Sequence, residues 1–457
     1  MRTSSRLWRL LAILMAFSLL AAACGNDDDD AAGDDNGDDG TEEPDNGDDG
    51  TEEPDNGDDG TEEPGIDTDP IEVDFDTETL TIGTLLPETG DLAFLGPPMV
   101  QAVEMAVRDI NDAGGVLGND VVLEPGDSGT DPGVANTTVD RLLGTVGVNA
   151  IVGAAASGIT TQLVDKITGS GVVECSPSNT AASLRNAGQD GYYFRTAPGD
   201  DLQGPVLAET VLNDGHSNVA VLVRADDYGV GFGDAIVETL EDGGATVVYN
   251  DSYDPRATNF DAEVQAIAGE SPDAIVLIAF EEGIQIIQTM IEEGIGPAEV
   301  SLYTGDGLAT GDLGESIDPE NPGVAEGITG TAPSANPETG AAFFPEAFGE
   351  FAPDVDAIFS SQSYDCAVLI ALATAQAGTA DPAEIRDNME SVSGPEGTEC
   401  STFSECIELI DAGEEIDYQG ASGPIDLDGS DPSVASYDVN VYDENGELQL
   451  VDQVVAQ

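Results

Sequence analysis

The sequence predicts an α/β fold of two lobes, each built on a parallel β-sheet with helices on both faces. Short apolar runs bounded by glycine or proline alternate with amphipathic helical patterns, which is typical of parallel sheets covered by helices. Once an acidic N-terminal segment is set aside, about 380 residues remain, too many for one compact core. The 457-residue chain is therefore expected to fold into two lobes behind a non-globular N-terminal part.

Residues 1–23 have the pattern of a secretory signal peptide, because three arginines precede the apolar run Leu10–Ala23. Cys24 follows a run of small residues, which favours lipidation of its thiol. A lipobox usually has leucine where Ala21 stands, and ordinary cleavage beside an incidental cysteine is the alternative. We expect an exported protein that a lipid holds on the outer face of the cytoplasmic membrane.

Residues 24–74 are expected to form an acidic, disordered tether. The decapeptide DNGDDGTEEP occurs three times in succession over residues 35–64, and a segment with so few apolar residues and so much like charge does not bury a core. Asp34, Asn36 and Asp38 alternate as in a calcium-binding EF-hand loop, but Asp39 stands where that loop requires glycine. No metal site is expected here.

The charge balance excludes several partners. The chain has 92 acidic residues against 11 lysines and arginines, and Lys166 is its one lysine. So negative a surface repels nucleic acid and anionic lipid. It favours solubility in strong salt, where repulsion is screened, and a halophilic or marine source is the hypothesis. An acidic but non-halophilic proteome is the alternative.

The stretch from Leu80 to Pro132 organises the chain. The apolar run Leu80–Leu86 predicts a buried strand, and Val121–Leu123 predicts a second one. A stripe of apolar residues between them predicts an amphipathic helix ending at Gly114: Met99, Val103, Ala106, Val107 and Ile110. The loop from Pro87 to Pro98 lies at the carboxyl end of the first strand, where ligands bind in open α/β sheets.

Further strands are predicted in the same alternating pattern. They lie near Ala150–Gly153, Val172–Cys175, Val219–Val223, Thr246–Tyr249, Ala274–Phe280 and Val300–Tyr303.

Three segments of the organising stretch, IGTLLPETGDLAFLG, AVEMAVRDINDAGGVLG and GDSGTDP, resemble the type I periplasmic binding proteins of branched-chain amino acid and amide ABC transporters, the leucine/isoleucine/valine-binding protein family. The resemblance extends to about Gly423. It implies discontinuous lobes joined by three hinge crossings near Asp200, Ala332 and Asp438. Lobe 1 would comprise residues 75–200 and 333–438, and lobe 2 residues 201–332 and 439–457.

The resemblance also implies a function. The protein would be a monomer without cofactor that captures an amino acid or amide and delivers it to ABC permease subunits. The alternative is a ligand-sensing component of a signalling system with the same fold.

Ser157 and Gly158 stand between a predicted strand and a helix that begins near Ile159. A hydroxyl beside a helix N-terminus suits a carboxylate, although Ser157 could instead cap its own helix. By resemblance, Ser157 matches the serine that binds the ligand's α-carboxylate.

A second predicted strand ends in the loop SPSNT. By resemblance, Ser178 and Thr180 match positions that contact the ligand's amino and carboxylate groups. Asn179 stands where the family commonly has a small apolar residue, which predicts a more polar pocket.

Asp306 lies in a glycine turn after a third predicted strand. An aspartate before a glycine often serves only to form a turn. By resemblance, however, Asp306 matches the acidic residue that pairs with the ligand's α-ammonium. Tyr228 and Phe280 match aromatic wall positions, and Phe94 or Leu95 would supply a lid. Tyr364 and Asp365, which open a helix resembling the family's return to lobe 1, would lie near the cleft.

The globular part has four cysteines, an even number in a chain expected to be exported. Cys400 and Cys406 can close a small loop. By the family's layout, Cys175 and Cys366 both lie on the cleft side of lobe 1, so the expected disulfides are Cys400–Cys406 and Cys175–Cys366. His216 is the only histidine, so neither a Ser-His-Asp triad nor a histidine metal site can form. No enzymatic activity is expected.

Overall fold

The computed structural model describes residues 66–456. The expected signal peptide, the lipidated Cys24 and the acidic repeats lie outside the described residues.

The first sheet belongs to lobe 1 and is wholly parallel, with the strand order β2-β1-β3-β4-β5. Its strands are β1 (Thr81–Leu85), β2 (Val122–Glu124), β3 (Ala150–Gly153), β4 (Val173–Ser176) and β5 (Tyr193–Arg195). Neighbouring strands are joined through helices that cover both faces. Parallel strands need such crossover connections, because a tight turn cannot bring the chain back in the same direction.

The second segment of lobe 1 forms two small separate sheets, one of three strands and one of two. Their strands are β11 (Thr398–Cys400), β12 (Ile416–Gly420), β13 (Gly423–Pro424), β14 (Leu427–Asp428) and β15 (Asp431–Pro432). The intervening part of the chain belongs to lobe 2 and contains the strands β6 (Asn218–Arg224), β7 (Thr246–Tyr253), β8 (Ala274–Ile278), β9 (Ser301–Thr304) and β10 (Thr329–Pro333).

The sheet of lobe 2 is mixed, which corrects the expectation of a parallel sheet in each lobe. The last two strands, β16 (Ala435–Tyr442) and β17 (Leu448–Ala456), complete the order β17-β16-β10-β9-β8-β6-β7. β16 runs antiparallel to β10, and β17 runs antiparallel to β16. A short hairpin turn joins β16 to β17, with Gly446 at φ +77°, and a turn this short imposes the antiparallel arrangement.

Twelve α-helices are described. They are α1 (Gly96–Asp112), α2 (Pro132–Arg141), α3 (Ser157–Gly169), α4 (Asp200–Asn213), α5 (Asp227–Asp242), α6 (Asp261–Glu270), α7 (Gly283–Glu292), α8 (Leu313–Ile317), α9 (Phe344–Phe351), α10 (Ser360–Ala377), α11 (Pro382–Asn388) and α12 (Phe403–Asp411). Every strand predicted from the sequence is present, with shifts at its ends. The α/β prediction is confirmed.

The sheets locate the three connections between the lobes. The first lies between β5 and α4, and the second follows β10. The third precedes β16, a few residues before the expected position at Asp438, because Asp438 already pairs with Ala332 across the β10–β16 ladder. The three connections contact one another. The amide of Ser334 donates to the carbonyl oxygen of Ser436 at 2.8 Å, and the hydroxyl of Tyr437 donates to the carbonyl oxygen of Gly199 at 3.0 Å.

The boundary of the tether also differs from the expectation. Residues 66–74, which the sequence assigned to the tether, lie on lobe 1. The Nζ atom of Lys166 donates to the carbonyl oxygen of Asp67 at 2.8 Å, and Lys166 also pairs with Asp140 at 2.6 Å. The amide of Ile71 donates to the hydroxyl of Ser170 at 2.9 Å. The buried lysine therefore fixes the start of the globular part to α2 and α3.

Both expected cysteine pairs are bonded in the structure. Cys175 in β4 is joined to Cys366 in α10, with a Cα–Cα distance of 5.7 Å. Cys400 is joined to Cys406 in α12, with a Cα–Cα distance of 5.3 Å. The first bond fastens β4, which leads into the SPSNT loop, to the buried helix α10.

Candidate functional site

A small cavity lies between the lobes, at the carboxyl ends of the strands. Its lining residues are Leu92, Leu95, Ala155, Ala156, Ser157, Ser178, Thr180 and Phe359 from lobe 1 and Tyr228, Phe280, Asp306 and Gly307 from lobe 2. In this closed form the free space within the cavity is about 10 Å³, room for about one water molecule. The lobes are closed around it, since Gly158 of α3 faces Asp226 at the start of α5.

Ser157 presents its hydroxyl group to the cavity from the first turn of α3. Its Oγ accepts a hydrogen bond from the amide of Ala181 at 3.3 Å. Ala156, not Ser157, is the N-cap residue of α3, and no side chain caps this helix. The capping alternative is therefore wrong for Ser157, and the hydroxyl proton of Ser157 remains free to donate.

The SPSNT loop after β4 brings Ser178 and Thr180 to the cavity but turns Asn179 away from it. Asn179 is fully buried. Its Nδ2 donates to the carbonyl oxygen of Ala155 at 2.8 Å, and its Oδ1 accepts from the hydroxyl of Tyr193 at 3.1 Å. The side chain of Asn179 thus holds two backbone segments together, and it does not make the cavity more polar as expected.

Arg195, at the end of β5, holds the backbone of the same loop in place. Its Nη1 donates to the carbonyl oxygens of Asn179 at 3.2 Å and Ala181 at 2.9 Å. Its Nε and Nη2 pair with both carboxylate oxygens of Asp431 at 2.9 and 2.7 Å. Arg195 is fully buried, so a bidentate ion pair fixes the backbone that presents Ser178 and Thr180.

Asp306 is the one charged residue among the described residues that line the cavity. Its Oδ1 accepts from Nε2 of Gln203 at 2.9 Å and from the hydroxyl of Tyr228 at 3.3 Å. Asp306 is only 5% exposed, and burial raises its pKa to about 6. The sequence did not point to Gln203. This residue lies in α4, and no motif there indicates a contact with Asp306, which is distant in the sequence.

Aromatic side chains form the wall on the lobe 2 side. The ring of Tyr228 stacks on that of Phe280 with centroids 5.3 Å apart. The guanidinium of Arg224 lies over the ring of Phe280, 3.5 Å from its centroid. The wall is thereby held in a fixed orientation.

The lid differs in part from the expectation. Leu95 and Leu92 line the cavity, whereas Phe94 contacts neighbouring surface grooves. Residues Ala93–Leu95 form a 3-10 turn, in which residues three apart share one face, so Leu92 and Leu95 point inward together. Phe359 completes the lid. It precedes α10 with φ of 55°, and no sequence pattern indicated it.

Asp365 lies outside the cavity. It accepts hydrogen bonds from the hydroxyl of Tyr418 at 2.7 Å and from the amides of Ala421 and Ser422 at 2.8 Å each. Its neighbour Tyr364 bonds to Asp109 of α1 at 3.2 Å. Both residues hold α10 in lobe 1, and their expected place near the cleft is not the observed one.

No helix within residues 66–456 combines the length and apolar character that crossing a membrane requires. No group of three or more histidine, cysteine, aspartate or glutamate side chains in that range could hold a metal ion.

Comparison with known proteins gives the family. Residues 79–403 match the family described as periplasmic binding protein. The chain is 30% identical over 370 residues, 79% of its length and 86% of the relative's, to the chemotactic signal transduction system substrate-binding protein BasB of Halobacterium salinarum. It is 31% identical over 231 residues to the Leu/Ile/Val-binding protein BraC3 of Rhizobium johnstonii, covering 50% of this chain and 62% of BraC3.

A solved structure supports the same assignment at the level of the fold. The branched-chain amino acid transporter substrate-binding protein LivJ of Streptococcus pneumoniae, in complex with isoleucine, matches with a TM-score of 0.68 at 23% identity. The match covers 83% of this chain and 100% of that one. The resemblance inferred from the sequence is confirmed: the chain belongs to the type I periplasmic binding proteins, in the family of the Leu/Ile/Val-binding proteins, whose members are extracytoplasmic solute-binding proteins and not enzymes.

Proposed function

We propose that the protein is an exported lipoprotein that captures a branched-chain or related amino acid, or an amide, and delivers it to an ABC importer. The observation that carries the proposal is the distribution of polar groups across the cavity. The hydroxyls of Ser157 and Thr180 lie on the lobe 1 side, and the carboxylate of Asp306 lies on the lobe 2 side. A zwitterion requires this arrangement, with donors for its carboxylate and an acceptor for its ammonium group.

The remaining lining favours an apolar side chain on the ligand. Tyr228, Phe280 and Leu95 enclose the space between the two polar ends. Since the groups that contact the two ends of the ligand lie on different lobes, the closed form binds the ligand better than the open form. This difference in affinity drives closure about the three connections.

The proposal is tested by a thermal-shift screen of amino acids, amides and urea, followed by calorimetry on the best compounds. An aliphatic amino acid is expected to raise the melting temperature most. A screen in which only compounds without an ammonium or amide group stabilise the protein would contradict the proposal.

A second function is favoured by one observation, the similarity to BasB, whose name assigns it to a chemotactic signal transduction system. Under this alternative the same cavity reports its ligand to a signal transducer. Cells from which the gene for this protein is deleted distinguish the two functions. Loss of uptake of the labelled amino acid supports transport, and loss of chemotaxis with normal uptake supports sensing.

The pH dependence of binding is expected to follow Asp306. Its pKa is raised to about 6 by burial, whereas pairing with an ammonium group requires the ionised form. The complex therefore holds fewer protons than the free protein, and the affinity falls as the pH drops below about 6, by about 10-fold at pH 5. Calorimetry at pH 5 and pH 7.5 measures this change. A pH-independent affinity over this range would remove Asp306 from the ammonium site.

Anchoring is tested separately, because the tether separates it from ligand binding. The Cys24→Ser variant is expected to appear in the medium instead of the membrane fraction, with unchanged affinity for the ligand. Equal retention of this variant on membranes would exclude lipidation of Cys24.

A further inference from the structure

Asp200 is a buried carboxylate beside the cavity to which the function proposed above gives no role. It is the first residue of α4 and lies directly after the first connection between the lobes. Its amide donates to the carbonyl oxygen of Thr180 at 2.7 Å, and its side chain is 0% exposed. Asp200 thus joins lobe 2 to the loop that presents Thr180.

Neither carboxylate oxygen of Asp200 has a hydrogen-bond partner of good geometry among the described residues. The hydroxyl of Thr180 is close enough to lower the pKa of Asp200, but this effect is smaller than those of burial and of Asp306, which raise it. Two other buried aspartates of this region differ from it. Asp365 accepts bonds from Tyr418 and two backbone amides, and Asp431 pairs with Arg195. Burying a carboxylate without a partner is costly, and such groups are rare. Asp200 therefore holds a proton in the ligand-free protein and ionises only when a positive group reaches it.

The charges around Asp200 are mostly negative. Burial is the main cause that raises the pKa of Asp200 well above its usual range, and the negative charge of Asp306 is the next. The titratable groups that face Asp200 are Asp306 after β9, Arg195 of β5, Asp201 of α4, Tyr228 of α5 and Tyr437 of β16.

The one cation in this set is already engaged. Arg195 directs Nε and Nη2 to Asp431 and Nη1 to the carbonyl oxygens of Asn179 and Ala181. Asp200 and Asp306 are therefore two neighbouring carboxylates, and no free cation faces them from the described residues.

We propose that Asp200 is a specificity-determining residue: with Asp306 it forms a two-carboxylate subsite for the ammonium group of the ligand. This inference rests on the function proposed above. Oδ1 of Asp306 already accepts from Gln203 and Tyr228, so Asp306 offers mainly Oδ2. Asp200 does not itself line the cavity, and in the proposed complex the ammonium group reaches it beside Thr180 and displaces its proton. A ligand without that group leaves Asp200 protonated and gains no ion pair there, which selects against it.

The test measures selectivity. The probes are the best amino acid from the screen and the same molecule without its amino group, which for leucine is 4-methylpentanoate. Calorimetry of Asp200→Asn is expected to give an affinity for the amino acid that is about 10-fold lower than that of the wild-type protein, with an unchanged or higher affinity for the deaminated acid. Asp200→Ser, whose hydroxyl suits the same helix start, is expected to behave alike.

The neighbouring residue provides the matched control. Asp201 follows in the same helical turn, but its side chain is 43% exposed and pairs with Arg185. Asp201→Asn is expected to leave both affinities within about 2-fold. Equal loss of both ligands in the Asp200 variants would make Asp200 a structural residue and overturn the inference, as would wild-type affinity for the amino acid. If the wild-type protein binds no amino acid, the proposed function itself fails.

The wild-type protein gives an independent measurement should the variants fail to fold. Calorimetry in two buffers of different ionisation enthalpy counts the protons taken up on binding each probe at about pH 6.5. A single carboxylate changes this count by at most one proton between the two probes. A difference above one proton supports the two-carboxylate subsite, and a difference of one or less contradicts it.

Discussion

Asp306→Asn is expected to weaken binding of the best amino acid by about 100-fold or more. Closure buries Asp306 to 5% exposure, and removing one partner of a buried charge pair costs about 3–5 kcal/mol. Asparagine keeps the acceptor for Gln203 and Tyr228, so the variant changes the charge and little else. Calorimetry on the variant and the wild-type protein measures the effect.

Two further variants show whether the effect is specific to the charge of Asp306. Ser157→Ala removes one hydrogen bond to a charged group and is expected to cost about 1.5–3 kcal/mol of binding free energy. Asp312→Asn changes an exposed aspartate of the same loop and should not affect binding. Neither Asp306→Asn nor Ser157→Ala is expected to lower the melting temperature of the ligand-free protein much, because neither substitution leaves a buried charge without a partner. If Asp306→Asn binds the amino acid with wild-type affinity, Asp306 only forms the turn and does not bind the ligand.

Arg195→Met is expected to lower the free energy of unfolding by about 3–5 kcal/mol. The substitution leaves the 3%-exposed carboxylate of Asp431 without its bidentate partner, so only the partly exposed Arg185 remains to pair with it. Breaking a buried ion pair carries a penalty of that size. The carbonyl oxygens of Asn179 and Ala181 lose their donor as well. Ligand affinity should therefore fall together with stability. Urea denaturation monitored by circular dichroism measures the first effect, and calorimetry measures the second.

Arg185 supplies the control for Arg195. It also pairs with Asp431, at 3.3 Å, but its side chain is 45% exposed, so Arg185→Met should cost at most about 1 kcal/mol. If Arg195→Met costs no more than Arg185→Met, the ion pair does not support the loop. Arg195→Met combined with Asp431→Leu should recover part of the stability, because it removes both charges from the interior.

Much of the cavity could be predicted because strand ends carry a strong signal. Ser157, Ser178, Thr180 and Asp306 each follow a predicted strand, and the carboxyl ends of parallel strands meet at one edge of a sheet. The family resemblance added which of these polar residues face the cleft. The structure brings all four to one cavity.

The errors have a different origin. Asn179 and Phe94 each lie next to a residue that does line the cavity, and sequence position does not give the direction of a side chain in an irregular segment. Hydrogen bonds to Ala155 and Tyr193 turn Asn179 inward to the core, and the 3-10 turn places Leu95 rather than Phe94 at the cavity. Gln203, Phe359 and Asp200 were missed because each reaches the site from a part of the chain that is remote in sequence.

The sequence by itself determined the alternation of strands and helices, the family and the polar residues at the strand ends, because each of these depends on local hydrophobic periodicity or on a contiguous motif. Tertiary structure alone decided the antiparallel edge of the second sheet, the inward direction of Leu95 and the pairing of Arg195 with Asp431. It also decided that Asp200 is buried beside Asp306, more than a hundred residues away in the chain. These features depend on which segments the fold brings together, and the cost of burying a charge is set by neighbours that no local pattern reveals.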